Sequence, residues 1–143
     1  MSDSTQIYIL DTSVLIQAHR VYYSFDIAPA FWNFLIESVK TDKIVSVDRV
    51  NDEILKGNDE LADWVRNDFS FAFENTKDEF SRADNADAWT IAYASTHNCV
   101  LVTQEVLNNN IRRKIPIPNV CVAFDVKYID TFTLLRELNF KFK

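Results

Sequence analysis

Ile7-Tyr8-Ile9-Leu10-Asp11-Thr12-Ser13-Val14-Leu15-Ile16 is the stretch that decides how the chain is interpreted. Its four apolar residues before Asp11 predict a short buried strand, and the residues from Thr12 onwards predict a helix. Asp11 therefore stands where a strand passes into a helix. In a parallel sheet such junctions lie at the carboxyl edge, which is where ligands bind. Asp11 is the first candidate functional residue.

The rest of the chain repeats this alternation of strand and helix. Apolar blocks predict further strands at 44–47, 100–103 and 120–123, and helical spacing predicts helices at 12–20, 29–39, 48–56, 61–65, 84–97 and 130–138. Asp48 and Asp130 are expected to cap the helices that follow them, and Gly57 to end the third helix. The pattern predicts an α/β sandwich with a central parallel sheet of four to five strands, in a single domain over residues 1–143.

Composition narrows the function classes. With 143 residues, 48% of them hydrophobic, the chain can bury a core without a metal or disulfide staple. A single glycine excludes a Gly-rich phosphate-binding loop. The net charge of −6 disfavours a broad basic surface for nucleic acid, but setting aside four metal-binding acids would change it to −2. Two cysteines in apolar runs, no signal segment and no membrane-length apolar run predict a cytoplasmic protein without membrane contact.

Four acidic residues are expected at the carboxyl edge of the sheet. Asp11 follows the first strand, Glu105 follows the strand at 100–103, and Glu53 lies in the helix after the second strand. Asp87 lies in the first turn of a crossover helix, which begins at the same edge. Because four carboxylates repel one another unless cations neutralise them, an all-oxygen Mg²⁺ or Mn²⁺ site is predicted there, with these four as metal-binding and catalytic residues.

Each acid also has an ordinary structural explanation. Asp11 alone fits a helix cap, and Glu53 alone fits a solvated helix face. Asp87 and its neighbour Asp84 fit favourable charges at a helix N-terminus, and Glu105 fits a turn. The joint pattern is more specific than any one of its members. Asp84, one helical turn before Asp87, is kept as an additional or substitute ligand.

Two further groups of side chains are assigned supporting roles. Three hydroxyls beside the acids are expected to orient a ligand or a water, with capping as the alternative: Thr12, Ser13 and Thr103. A short basic run is a candidate RNA phosphate contact, with a solvated loop as the alternative: Arg112, Arg113 and Lys114.

These motifs resemble those of PIN domains over nearly the whole chain. The segment 7–16 is similar to the PIN opening, Asp87-Ala88-Trp89-Thr90-Ile91-Ala92-Tyr93-Ala94 resembles the third acidic motif, and Val100-Leu101-Val102-Thr103-Gln104-Glu105 resembles the fourth, which more often ends in Asp. Glu53 sits where the second acid is expected. The ending, 114–121, is similar to a prokaryotic PIN subgroup described mostly as a domain of unknown function.

The resemblance implies a PIN-like, Rossmann-like fold and a Mg²⁺- or Mn²⁺-dependent endoribonuclease that leaves 5′-phosphate and 3′-hydroxyl ends. The chain also resembles the VapC-like subgroup of PIN proteins. This resemblance implies that the protein is the toxin of a toxin–antitoxin pair, that its substrate is RNA, and that an antitoxin is encoded nearby. An antitoxin would insert a basic side chain into the acidic pocket and cover an apolar surface within Val21–Leu35, a region rich in aromatic residues that include Tyr22, Tyr23, Phe25, Phe31 and Trp32. A homodimer is left open.

Three alternatives stand beside this interpretation. The PIN fold also carries housekeeping RNA-processing nucleases and non-catalytic protein-binding modules. Phosphoryl transfer through an aspartyl-phosphate is the third, but haloacid-dehalogenase-type enzymes need a second Asp two positions after the first, where this chain has Ser13. Receiver domains need paired acids after the first strand, and Leu10-Asp11 supplies one.

Overall fold

The computed structural model describes residues 6–74, 86–105 and 117–142, with side chains in the helix that begins at Ala86 given from Thr90 onwards. Five strands form one sheet, in the order β3-β2-β1-β4-β5, and every neighbouring pair is parallel. The strands are β1 (Tyr8–Leu10), β2 (Ile44–Val47), β3 (Phe73–Glu74), β4 (Val100–Val102) and β5 (Tyr128–Ile129).

Helices connect the strands, as parallel pairing requires. They are α1 (Thr12–Gln17), α2 (Pro29–Lys40), α3 (Asp48–Leu55), α4 (Glu60–Trp64), α5 (Ala86–His97), α6 (Ile117–Ala123) and α7 (Thr131–Glu137). A π-helical turn extends α1 over Ala18–Tyr22, and another extends α4 over Val65–Phe69. Across the described ranges, no helix combines the length and the apolar character needed to span a membrane.

The two central strands place the core and the site. Every residue of β1 and β4 is buried, which requires helices against both faces of the sheet. From β1 the chain proceeds to β2 on one side, and from β4 it proceeds to β5 on the other. The carboxyl ends of β1 and β4 therefore border the topological switch point, where a crevice opens in sheets of this kind. The predicted α/β sandwich with a four- to five-stranded parallel sheet is confirmed, with five strands.

Asparagine and aspartate, not glycine, end the helices. Five such residues adopt positive φ angles of 47° to 60°, each just after a helix: Asp42, Asn58, Asn98, Asp125 and Asn139. Short polar side chains tolerate this left-handed conformation better than other non-glycine residues do. The predicted end of α3 at Gly57 is confirmed in position, because Gly57 directly follows the C-cap residue Lys56, but the left-handed backbone belongs to Asn58. Asp48 is the first residue of α3 and not its cap, whereas Asp130 caps α7 as predicted.

The strand predicted at 120–123 is wrong, because these residues belong to α6. The β-branched side chains suggested a strand, but burial follows helical spacing: Ile117 and Cys121 are buried, whereas Val122 is exposed. The actual last strand, β5, is two residues long and gives almost no periodic signal. Likewise β3 lies within the segment 67–81, for which the sequence predicted no element.

The aromatic residues of the Val21–Leu35 region are mostly core. Phe31 and Trp32 are buried, and Trp32 contacts Phe25 at a centroid distance of 4.4 Å and Trp64 at 4.8 Å. These rings pack α2 against α4, so they do not form the apolar docking surface predicted from the sequence. The exposed apolar side chains that remain in the region are Val21, Tyr22 and Ile27.

Leu101 in the middle of β4 provides a test of this core assignment. We expect Leu101→Ala to lower the free energy of unfolding by about 3 kcal/mol, because the truncation leaves a cavity between layers that cannot collapse. Ile27→Ala, at a side chain that is 78% exposed, should change it by less than about 0.5 kcal/mol. Urea denaturation followed by circular dichroism measures both values. Equal effects would contradict the placement of β4 at the centre of the sheet.

Candidate active site

Asp11 lies at the switch point and is almost completely buried, with 1% of its surface exposed. Its backbone N–H donates to the Val102 carbonyl at 3.1 Å, which ties the end of β1 to the end of β4. Its carboxylate oxygen Oδ1 accepts from the Val14 N–H at 3.3 Å, so Asp11 caps α1. The capping role considered for Asp11 is thus present, but one weak bond of this kind does not require a buried charge.

Two hydroxyl groups hold the Asp11 carboxylate. Ser13 Oγ donates to Oδ1 at 2.6 Å and Thr103 Oγ1 donates to Oδ2 at 2.7 Å. Each hydroxyl also accepts a backbone N–H, Ser13 from Gln104 at 2.9 Å and Thr103 from Glu105 at 3.1 Å. Because those N–H groups occupy hydroxyl lone pairs, the hydroxyl protons are directed at the carboxylate. This network is suited to Asp11 in its ionised form.

Electrostatics around Asp11 act against that ionised form. Burial raises the pKa of Asp11 from its ordinary value of 3.8 to about 7. The hydrogen bonds from Ser13 and Thr103 lower the pKa, and the negative charge of Glu105 raises it. Within the described ranges, the ion pairs are His19–Glu60, Lys40–Glu37 and Arg66–Asp63, and none involves Asp11. A buried carboxylate beside a second acid, with all-oxygen donors around it, fits a hard divalent cation.

For the other three predicted acids, Glu105, Glu53 and Asp87, the structure describes fewer contacts than for Asp11. Glu105 is half-buried near Asp11, and its Oε1 accepts from the Ile117 N–H at 2.8 Å. Glu53 is exposed on α3. Asp87 is the second residue of α5, which packs against α3, so the helices that carry Glu53 and Asp87 are neighbours. Among the residues with described side chains, no group of three His, Cys, Asp or Glu is close enough to hold a metal.

Several supporting residues can also be placed. Ser13 and Thr103 contact Asp11 as expected, whereas the buried Thr12 hydroxyl has no hydrogen-bond partner within the described ranges. The side chain of Asp87 lies outside the described part of the structure. So do four further residues that the sequence singled out: Asp84, Arg112, Arg113 and Lys114.

Sequence reasoning missed Gln104 and Cys121. The Gln104 Oε1 accepts from the Thr131 N–H at 2.9 Å and so holds the first residue of α7. Cys121 on α6 is fully buried, and both its burial and the charge of Asp11 raise its pKa to about 11. The only available signal for Gln104 was its position between Thr103 and Glu105. Nothing in the sequence indicated that α6 comes close to Asp11.

The fold and the site define an α/β protein with a buried carboxylate at the switch point of a parallel sheet. The chain belongs to the family described as Domain of unknown function (DUF4411), whose model matches residues 8–82 and 73–142. No curated protein matches it.

Two solved structures are similar to the chain. One is the crystal structure of PAE2754 from Pyrobaculum aerophilum, with 19% identity and a TM-score of 0.52 over 95% of this chain and 98% of that one. The other is VapBC2 from Rickettsia felis bound to a DNA fragment from their promoter, with 16% identity and a TM-score of 0.45 over 87% and 98%. At 19% identity the likeness to PAE2754 concerns the fold alone, and it agrees with the α/β architecture predicted from the sequence.

The raised pKa of Asp11 predicts how the stability of the metal-free protein depends on pH. The folded state holds the Asp11 proton up to about pH 7, whereas the unfolded chain releases it near pH 3.8. The stabilisation is therefore complete below about pH 4 and is lost as the pH rises through 7. Relative to Asp11→Asn, the wild type should lose about 3 kcal/mol of unfolding free energy between pH 5 and pH 8.

Urea titrations in EDTA across this pH range measure the difference, and the Asn variant removes the contributions of other titrating groups. A difference that stays constant from pH 5 to pH 8 would show that the buried carboxyl has an ordinary pKa.

Proposed function

We propose that this protein is a Mg²⁺- or Mn²⁺-dependent endoribonuclease that hydrolyses RNA phosphodiesters. The observation that carries the proposal is the buried Asp11 carboxylate at the switch point, held by Ser13 and Thr103 and lacking a cationic side chain in the described ranges. Such a group is costly to bury and needs a compensating charge. A divalent cation that also contacts a substrate phosphate provides one.

In this proposal Asp11, Glu53 and Asp87 would hold the cation. Asp11 follows β1, and Glu53 and Asp87 belong to the neighbouring helices α3 and α5. A bound cation supplies the charge that activates water and stabilises the leaving oxygen. Ser13 and Thr103 orient the Asp11 oxygens, and their hydrogen bonds favour its ionised form. Glu105, predicted from the sequence as a fourth ligand, lies at the same edge, and its Oε1 already accepts the N–H of Ile117 in α6.

RNA is the substrate that the sequence resemblance favours. The net charge of −6 disfavours binding through a broad basic surface, so contact with phosphates is proposed to be local and cation-mediated. Arg112, Arg113 and Lys114 follow Glu105 by a few residues and are proposed as additional phosphate contacts.

Asp11→Asn tests the central residue. With Mn²⁺ or Mg²⁺, purified wild type should cut RNA to give 5′-phosphate and 3′-hydroxyl ends, and EDTA should stop it. We expect Asp11→Asn to lower the rate by at least about 100-fold with the fold retained, because the carboxylate charge that holds the cation is gone. Asp42→Asn, an equal charge change at an exposed turn before β2, should cut normally. Normal cleavage by Asp11→Asn would overturn the assignment.

Asp84 and Asp87 are three residues apart in the sequence, and a second pair of variants distinguishes their proposed roles. We expect Asp87→Asn to be as damaging to metal-dependent cleavage as Asp11→Asn, and Asp84→Asn to be much less damaging. The reason is that Asp87, and not Asp84, matches the acidic residue of the segment 87–94 that resembles the third PIN motif. Cleavage rates and the Mn²⁺ concentration for half-maximal rate measure both. The reverse order would make Asp84 the ligand.

We further propose that the nuclease is the toxin of a toxin–antitoxin pair, on the strength of the sequence resemblance to VapC-like proteins. Expression of the wild type alone should arrest growth, Asp11→Asn should not, and co-expression of the neighbouring gene should restore growth. The exposed side chains Val21, Tyr22 and Ile27 are the candidate contacts for such a partner. Harmless wild-type expression in the native host after deletion of the neighbouring gene would indicate a housekeeping nuclease instead.

A further inference from the structure

Glu105 makes two hydrogen bonds, one to a residue that contacts Asp11 and one to the first residue of α6. Its backbone N–H donates to Thr103 Oγ1 at 3.1 Å, which fixes its main chain against the group that holds Asp11. Its side-chain Oε1 accepts from the backbone N–H of Ile117 at 2.8 Å. One residue therefore connects the hydroxyl that orients Asp11 to the first residue of α6.

The backbone N–H of Ile117, at the start of α6, needs a hydrogen-bond acceptor from outside the helix. The first N–H groups of a helix have no partner within the helix, and Ile117 is buried, with 1% of its surface exposed, so water cannot easily take that place. The next residue, Pro118, has no N–H. An oxygen from outside α6 is needed at Ile117, and Glu105 provides it.

The length of the side chain suits this role. Resemblance to the fourth PIN motif places Asp more often at position 105, and Glu is longer by one methylene group. Hydrogen bonding to an N–H requires an acceptor oxygen, but it does not require a negative charge. A carboxylate that binds a cation, in contrast, would lose much of its affinity for the cation together with its charge.

We propose that Glu105 is a positioning residue for Asp11: it holds α6 against the end of β4 through the Ile117 N–H, and the site requires its acceptor oxygen, not its charge. The consequence for cleavage rests on the proposed function, whereas the hold on α6 does not. Residues 103–105 then act as one unit, in which Gln104 holds α7 and Glu105 holds α6 while their N–H groups fix the hydroxyls on Asp11.

Two substitutions at the same position separate acceptor from charge. Glu105→Gln keeps an oxygen of the same reach and removes the charge, whereas Glu105→Ala removes both. We expect Glu105→Gln to retain the wild-type melting temperature, hydrogen-exchange protection at the Ile117 amide, and a Mn²⁺ requirement within about threefold of wild type. Glu105→Ala should melt about 3 °C lower, lose that protection and need about tenfold more Mn²⁺.

Asp59→Ala is the matched control, because Asp59 caps α4 through the Ala62 N–H. It should lower the melting temperature to a similar extent without changing the Mn²⁺ requirement. If Asp59→Ala raises the Mn²⁺ requirement as much as Glu105→Ala does, the effect of Glu105→Ala is explained by general instability. That result would overturn the positioning role.

Two other results would also overturn the proposal. If Glu105→Gln keeps the Ile117 protection but needs at least about tenfold more Mn²⁺, the charge matters and Glu105 is a ligand. If both Glu105 variants keep the protection, Glu105 does not hold α6. A wild type that shows no metal-dependent cleavage defeats the proposed function, and the exchange measurement then decides the hold on α6 alone.

Discussion

The carboxylate of Asp11 is enclosed at the end of β1, and the surrounding structure is organised around that burial. A buried charge is tolerated only when neighbouring groups solvate it. Here Ser13 and Thr103 do so from either side, and the backbone after β4 in turn fixes their orientation. The pKa of about 7 shows that the solvation is incomplete. In the proposed function, a bound cation would supply the compensating charge.

This arrangement depends on the sheet order. Because β1 and β4 are neighbours and parallel, residues 92 positions apart in sequence, Asp11 and Thr103, come within 2.7 Å of each other. The two strands are buried throughout, so their ends have little freedom to move apart. A core of buried strands thus sets the distances in the site, and Glu105 and Gln104 each add a hydrogen bond from the end of β4 to the first residue of α6 and of α7.

The sequence predicted what has a strong local signal. Continuous apolar blocks identified β1, β2 and β4, and the position of Asp11 after such a block identified the carboxyl edge of the sheet as the place of the site. The prediction from the sequence failed where the periodicity of apolar residues was weak or ambiguous. Val120 and Val122 suggested a strand although they lie in a helix, and the two-residue strands β3 and β5 are shorter than any detectable period. For the site, the four acids were candidates through their spacing, but which oxygens they contact, such as Glu105 with Ile117, depends on tertiary packing.

The shortness of β5 has a consequence for assembly. The outer strand of a sheet normally presents a row of unpaired N–H and C=O groups, on which another chain can pair strand to strand. β5 pairs with β4 through only Tyr128 and Ile129, and Asp130 already begins the cap of α7. An added strand would find a template of about two residues there, too short to hold a register. Any second polypeptide that binds at this side of the molecule must therefore recognise side chains on helices and loops, and its specificity would be set by their shapes and charges.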